Sequence, residues 1–305
     1  MNLRGKDPII LNPLSVLKNK IIRYLRTIAR FAISALALAF VLNKTDLTAI
    51  QAILKKSNLL YLAAACFFFI LSKMISSYRL NHFFRDVKIN LSEKTNLQLY
   101  FLGMFYNLFL PGGIGGDGYK VYYLHKHLAA PLKKSILALV FDRVTGLIAL
   151  GILSLIFLLA ISQRGIPEIY IAIAIVALPI IFYLIVYQFF NDFYKSLHVT
   201  NILSLLVQIF QVISAWMILI TLGNDQQTLS YLFVFLLSSV VAVIPFTIGG
   251  VGAREVVFLY ASDILQLDLS TSIALSLLFF SITAIVSLFG LWYVIRPDKL
   301  IDQSH

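Results

Sequence analysis

The sequence predicts an all-α polytopic membrane protein: six full transmembrane helices plus two re-entrant or broken helical segments, arranged as an inverted repeat. Three observations lead there. Hydrophobic residues make up 60% of the 305 and charged residues only 13%, whereas a soluble domain is about a quarter charged. The apolar residues gather into runs near the roughly 20 residues that a helix needs to cross a bilayer. Two runs stop at matched proline–glycine clusters.

The elements follow in chain order. A basic tail, residues 1–26, carries Arg4, Lys6, Lys18, Lys20, Arg23 and Arg26. The apolar run after it, about 27–43, imitates a secretory signal. It ends in Asn43-Lys44-Thr45-Asp46 with no small-residue cleavage site, and so reads as an uncleaved first span. Further spans are read at about 58–78, 135–162, 168–190, 200–222 and 270–295. The run Leu97–Leu110 has only fourteen residues before Pro111-Gly112-Gly113, which is short for a crossing. The run Leu229–Ile244 ends likewise at Pro245, with Gly249-Gly250 close behind, and the two resume at Tyr119–Leu128 and Val256–Ser262. Lipid cannot satisfy the backbone groups that such breaks expose, so each break must be buried in protein or face a wet cavity. Residues 297–305 read as a C-terminal tail.

Loop charge orients the chain. The net charge is +11, and the 25 Lys and Arg residues sit mainly beside apolar runs. That placement reports membrane orientation and attraction to anionic lipid, and nucleic acid is not an expected partner. With both termini cytoplasmic, in a cell (inner) membrane, the regions 1–30, 73–134, 191–199 and 296–305 hold nineteen of them. The opposite side keeps Lys44, Lys55, Lys56 and Arg164, while Arg143 and Arg254 fall within membrane segments. The transmembrane domain, 27–296, then divides into repeats of about 27–163 and 165–296. Gly112-Gly113-Ile114-Gly115-Gly116-Asp117 aligns with Gly249-Gly250-Val251-Gly252-Ala253-Arg254 at an offset of 137 residues. An odd number of crossings per half inverts the second, and in transporters of this design the substrate site lies where the broken elements meet.

The candidate headgroup-binding residues come from these motifs. Gly112, Gly113, Gly115, Gly116, Gly249, Gly250 and Gly252 permit sharp turns that aim backbone N–H groups at an anion. The helices resuming there add positive N-termini; close helix packing explains the same glycines. Charges in hydrocarbon are costly and face a cavity or a partner, which singles out Asp117, Lys120, Asp142, Arg143, Arg254 and Glu255. Lys120 and Arg254, just past the glycine turns, are phosphate candidates. Asp117 and Glu255 either neutralise those cations or cap the following helices. Asp142 and Arg143 fit an interfacial structural pair equally well, and Tyr119, Tyr122 and Tyr123 read as interfacial anchors. The sole cysteine, Cys66, excludes an intrachain disulfide. His125 and His127 fall on different helix faces, and there is no HExxH, nucleotide-binding loop or nucleophile motif. No metal, no cofactor and no catalytic residue are expected.

Taken together, Pro111-Gly112-Gly113-Ile114-Gly115-Gly116-Asp117, Phe141-Asp142-Arg143-Val144-Thr145-Gly146 and Ile248-Gly249-Gly250-Val251-Gly252-Ala253-Arg254-Glu255 resemble the lysylphosphatidylglycerol synthase transmembrane-region family, over about residues 25–298. That family includes the flippase half of the multiple peptide resistance factor, so the resemblance implies lipid translocation. The soluble aminoacyl-transfer domain of the full synthase has no counterpart in these residues, and lysine transfer is not implied. The leading reading is a transporter or flippase for an anionic, aminoacylated, polyprenyl-linked or hopanoid lipid. Two others stand beside it: a non-catalytic membrane subunit that anchors or regulates a lipid-modifying or glycosyl-transferring enzyme, and an intramembrane lipid enzyme.

Overall fold

The computed structural model describes residues 58–109, 115–161, 167–224, 226–243, 252–296 and 300. Among them every regular element is helical: α1 (Leu59–Asp86), α2 (Glu93–Phe109), α3 (Gly115–Leu128), α4 (Leu132–Ala160), α5 (Glu168–Phe189), α6 (Asn191–Thr221), α7 (Thr228–Val243), α8 (Ala253–Leu265) and α9 (Leu269–Ser287). A 3₁₀ turn, Leu288–Gly290, carries α9 into the short α10 (Leu291–Ile295). Five helices are long and apolar enough to cross a membrane: α1, α4, α5, α6 and the continuous run Leu269–Ile295. The expected first span, 27–43, and the Pro–Gly turns at 111–114 and 245–251 lie outside the described residues.

The helices start where the sequence offers caps. Asn58 Oδ1 accepts the Leu60 N–H at 2.9 Å to begin α1, and Asp268 Oδ2 accepts that of Thr271 at 2.7 Å to begin α9. Their outer faces carry apolar side chains suited to lipid, such as Ile173, Val176, Ile180, Ile181 and Leu184 on α5. Inside, α1 lies along α6, and Ser214 donates to the Ala65 carbonyl at 2.8 Å. Serines on α1 donate to their own helix, Ser72 to Phe69 and Ser76 to Ser72, which keeps hydroxyls tolerable in an apolar setting. One apolar core joins Phe69, Tyr231, Phe235, Phe258 and Phe279. A second joins Phe83, Phe84, Phe141 and Phe193, with Phe141 and Phe193 stacked at 4.2 Å.

Two boundaries differ from the sequence reading. The span read at 58–78 runs on to Asp86, so Lys73 and Arg79 belong to a helix and not to a cytoplasmic loop. Ser72, Ser76, Arg79 and Phe83 share one face of α1 and are all buried, which is why the helix continues through polar residues. The helices after the breaks also start earlier than read, at Gly115 and Ala253. Gly115 and Gly116 are therefore the first turn of α3, and the Gly116 N–H donates to Asn107 Oδ1 of α2 at 2.8 Å. At Gly252 the backbone does adopt positive φ, +84°, and its N–H donates to Glu255 Oε2 at 2.7 Å to open α8.

The crossing of α2 and α3 depends on a missing side chain. A Cβ on Gly116 would stand 1.9 Å from the Gly103 carbonyl oxygen, whereas one on Gly118, two residues on, would meet nothing within 4 Å. Gly116→Ala is expected to destabilise the folded protein by about 1–3 kcal/mol or more, as overpacking does. Gly118→Ala is expected to be neutral or stabilising by up to about 1 kcal/mol, from helix propensity. Thermal unfolding in detergent measures both, and equal melting temperatures for the two variants would contradict the packing account.

Candidate functional site

Polar side chains from α1, α2, α3, α4, α6 and α9, with apolar ones from α7, meet around a cavity of about 370 Å³. It lies where the C-terminal ends of α2 (Asn107, Leu108) and α7 (Ala242, Val243) approach the helices that cross between them. Lys73, Ser76 and Arg79 of α1 line it, three residues apart and so on one helix face.

Four ion-pair contacts hold its charged wall. Arg79 Nε donates to Asp142 Oδ1 at 2.8 Å, and its Nη1 to Ser204 Oγ at 2.9 Å, joining α1, α4 and α6. Gly146, one turn beyond Asp142 on α4, leaves room for this guanidinium: a Cβ there would meet Arg79 Nη1 at 3.4 Å. Asp117 takes two cations from different helices. Its Oδ2 accepts Arg143 Nε at 2.7 Å and Nη2 at 2.6 Å, and its Oδ1 faces Lys120 Nζ at 3.3 Å. The Lys120 stem runs past Gly103, where a Cβ would lie 2.6 Å from Cε, and its ammonium rests 4.7 Å above the Tyr100 ring. Lys73 Nζ sits 4.6 Å over the ring of Phe69. The lining thus carries four cations (Lys73, Arg79, Lys120, Arg143) and two carboxylates (Asp117, Asp142).

The second half is built differently. Arg254, at the start of α8, donates through Nη2 to Ser239 Oγ at 2.5 Å and is clasped by the rings of Phe235 and Phe279, at 5.3 and 5.0 Å. Its Nε is buried with no partner among the described residues. Glu255 accepts Ser276 Oγ at 2.8 Å on one oxygen and caps α8 with the other.

Of the residues singled out from sequence, Asp117, Lys120, Asp142 and Arg143 converge on the cavity. Gly115 and Gly116 form the helix turn that presents Asp117. Gly252, Arg254 and Glu255 are not among the described lining residues, and Gly112, Gly113, Gly249 and Gly250 lie outside the described residues. Asp142 and Arg143 are not a pair with each other: adjacent helix positions face different ways, and each reaches a separate helix. Asp117 neutralises cations, whereas Glu255 caps a helix. Tyr123 is buried and donates to the Leu300 carbonyl, unlike the half-exposed Tyr122. Lys73, Arg79, Asn107, Gln208 and Gln211 were not singled out. The signal for the first two was present, because Lys73, Ser76 and Arg79 repeat at helical spacing inside a run that turns apolar again at Leu80.

Comparison with known families agrees with the sequence motifs. The family model described as Lysylphosphatidylglycerol synthase TM region matches residues 27–198 and 191–290. No curated protein matches the chain.

The Arg79 and Asp142 side chains are only 6% and 12% exposed, so removing one partner strands a charge in an apolar interior. Arg79→Met is expected to cost about 3–5 kcal/mol, and Arg79→Met with Asp142→Leu to recover most of it. Detergent unfolding of the two variants checks this. An Arg79→Met protein as stable as the parent would show that the pair is not the clamp between α1 and α4.

Proposed function

The chain belongs to the lysylphosphatidylglycerol synthase TM region family, and from that membership and its charged cavity we propose that it moves a lipid with an anionic headgroup between leaflets. The coarser statement, a multi-pass membrane protein of lipid metabolism or transport, rests on the family and on the five apolar helices. The observation that carries the finer one is the excess of cations in the cavity, four against two carboxylates. A headgroup cannot cross hydrocarbon without losing its hydration. A cavity whose charges are already held in place replaces that hydration, while the acyl chains stay in lipid.

Helix contacts support the inverted repeat that this mechanism uses. Matching α1, α2, α3 and α4 with α6, α7, α8 and α9 gives most contacts a counterpart. Thus α2 packs on α3 as α7 does on α8, α1 on α4 as α6 on α9, α4 on α7 as α9 on α2, and α4 on α6 as α9 on α1. The site then sits at the interface of the two halves, reachable from either side by rocking one half against the other. Six crossings with both termini cytoplasmic remain the proposed topology. Removing the cavity-lining Lys73, Arg79 and Lys120 from the nineteen inside charges leaves sixteen, against four outside.

Liposomes containing the purified chain and a trace of labelled phosphatidate or phosphatidylglycerol provide the test. The protein is expected to bring label to the outer leaflet faster than protein-free vesicles. Arg143→Gln, on the partly exposed side of the wall, is expected to slow that movement about tenfold without loss of folded protein. If neither lipid moves, transport fails as a reading and the role of membrane subunit for a lipid-modifying enzyme takes its place.

A further inference from the structure

The charges within these helices do not balance, and the imbalance has a definite location. Arg79 is matched by Asp142, and Lys120 and Arg143 share Asp117. Among the described residues, Lys73 and Arg254 have no carboxylate at ion-pair distance. Glu255, the acidic residue next to Arg254, accepts from the neutral donors of Gly252 and Ser276 and so keeps its negative charge beside that guanidinium. The cavity lining carries four cations against two carboxylates, a surplus of two positive charges: Lys73 is unmatched, and Lys120 and Arg143 share one carboxylate.

Arg254 is not part of the cavity lining, and a pair of rings separates it from Lys73. Lys73 Nζ lies 4.6 Å from the centre of Phe69, Phe69 meets Phe279 edge to face at 5.4 Å, and Arg254 lies 5.0 Å from Phe279. Aromatic faces stabilise a cation without neutralising it, so the Lys73 charge stays available to a ligand.

We infer that the headgroup taken by this cavity carries two negative charges, as a phosphomonoester or diphosphate does, and is bound at Lys73, the cation of the lining that no carboxylate among the described residues matches. The lipid part of this inference rests on the transport reading; the dianion does not. A phosphodiester headgroup brings one negative charge and leaves one cation uncompensated in an apolar setting, where that is costly. A phosphomonoester carries about −1.5 to −2 at neutral pH and cancels the surplus. Lys120, which the sequence motif offers as the phosphate ligand of the first half, is already committed to Asp117, and Lys73 takes that role.

Native mass spectrometry of the full chain released from detergent at pH 8 tests this with phosphatidate, phosphatidylglycerol and inorganic phosphate as probes. Phosphatidate is expected to be retained at about tenfold lower concentration than phosphatidylglycerol. Lys73→Gln is expected to abolish that preference and Lys73→Arg, which restores the charge, to keep it. Equal retention of the two lipids, or a preference untouched in a folded Lys73→Gln protein, would overturn the inference. Inorganic phosphate that displaces phosphatidate mole for mole would overturn its lipid part, whereas retention that needs the acyl chains supports it. Selective retention without movement of any lipid supports the dianion and refutes transport. Movement of both lipids at one rate, with equal retention, does the reverse.

Discussion

Arg79 on α1 reaches Asp142 on α4 and Ser204 on α6, and this three-helix contact decides where the interior is polar. A lone charge in an apolar interior costs several kcal/mol after relaxation, and the partners that Arg79 and Arg143 find lie on other helices. Once α1, α4 and α6 are tied at this depth, the wall between them is fixed. Asp117 completes it by drawing Lys120 and Arg143 together across α3 and α4. The glycines serve the same end. Gly103 lets the Lys120 stem pass, Gly116 lets α3 approach α2, and Gly146 leaves space for the Arg79 guanidinium. Specific small residues therefore stand where large polar ones must fit, which ordinary tight packing between helices does not require.

The two halves share an arrangement of helices and differ in chemistry. Asp117 and Arg254 occupy equivalent places 137 residues apart, yet one is an anion shared by two cations and the other a cation held between two aromatic rings. Glu255, which follows Arg254, caps the start of α8 and keeps its negative charge beside that guanidinium. The first half thus supplies four cations against two carboxylates at the cavity, and the second a cation with a carboxylate next to it.

Much of this was legible in the chain. Apolar run length identified the five described spans, and the Pro–Gly clusters marked where α2 and α7 stop. The depth of Lys73 and Arg79 was lost because loop-charge reasoning assigns every basic residue near an apolar run to the aqueous side. Only the spacing of Lys73, Ser76 and Arg79 within a longer helix reveals their position. Pairing was illegible for another reason: Asp142 and Arg143 are neighbours in sequence and suggest each other, while their true partners lie 63 and 26 residues away. Nor did anything local distinguish the neutralising Asp117 from the capping Glu255, since the choice depends on which helix packs opposite.

A positively biased cavity lies among helices long and apolar enough to cross a membrane. Charge-selective thiol labelling reads that bias directly. With Cys66→Ala removing the native thiol, Met104→Cys puts a single reactive group on the cavity wall without altering any charge. The account predicts that a membrane-impermeant anionic methanethiosulfonate reacts there roughly tenfold faster than a cationic one of similar size, a ratio that high salt reduces. Equal rates, faster reaction with the cationic reagent, or no reaction at all would contradict it.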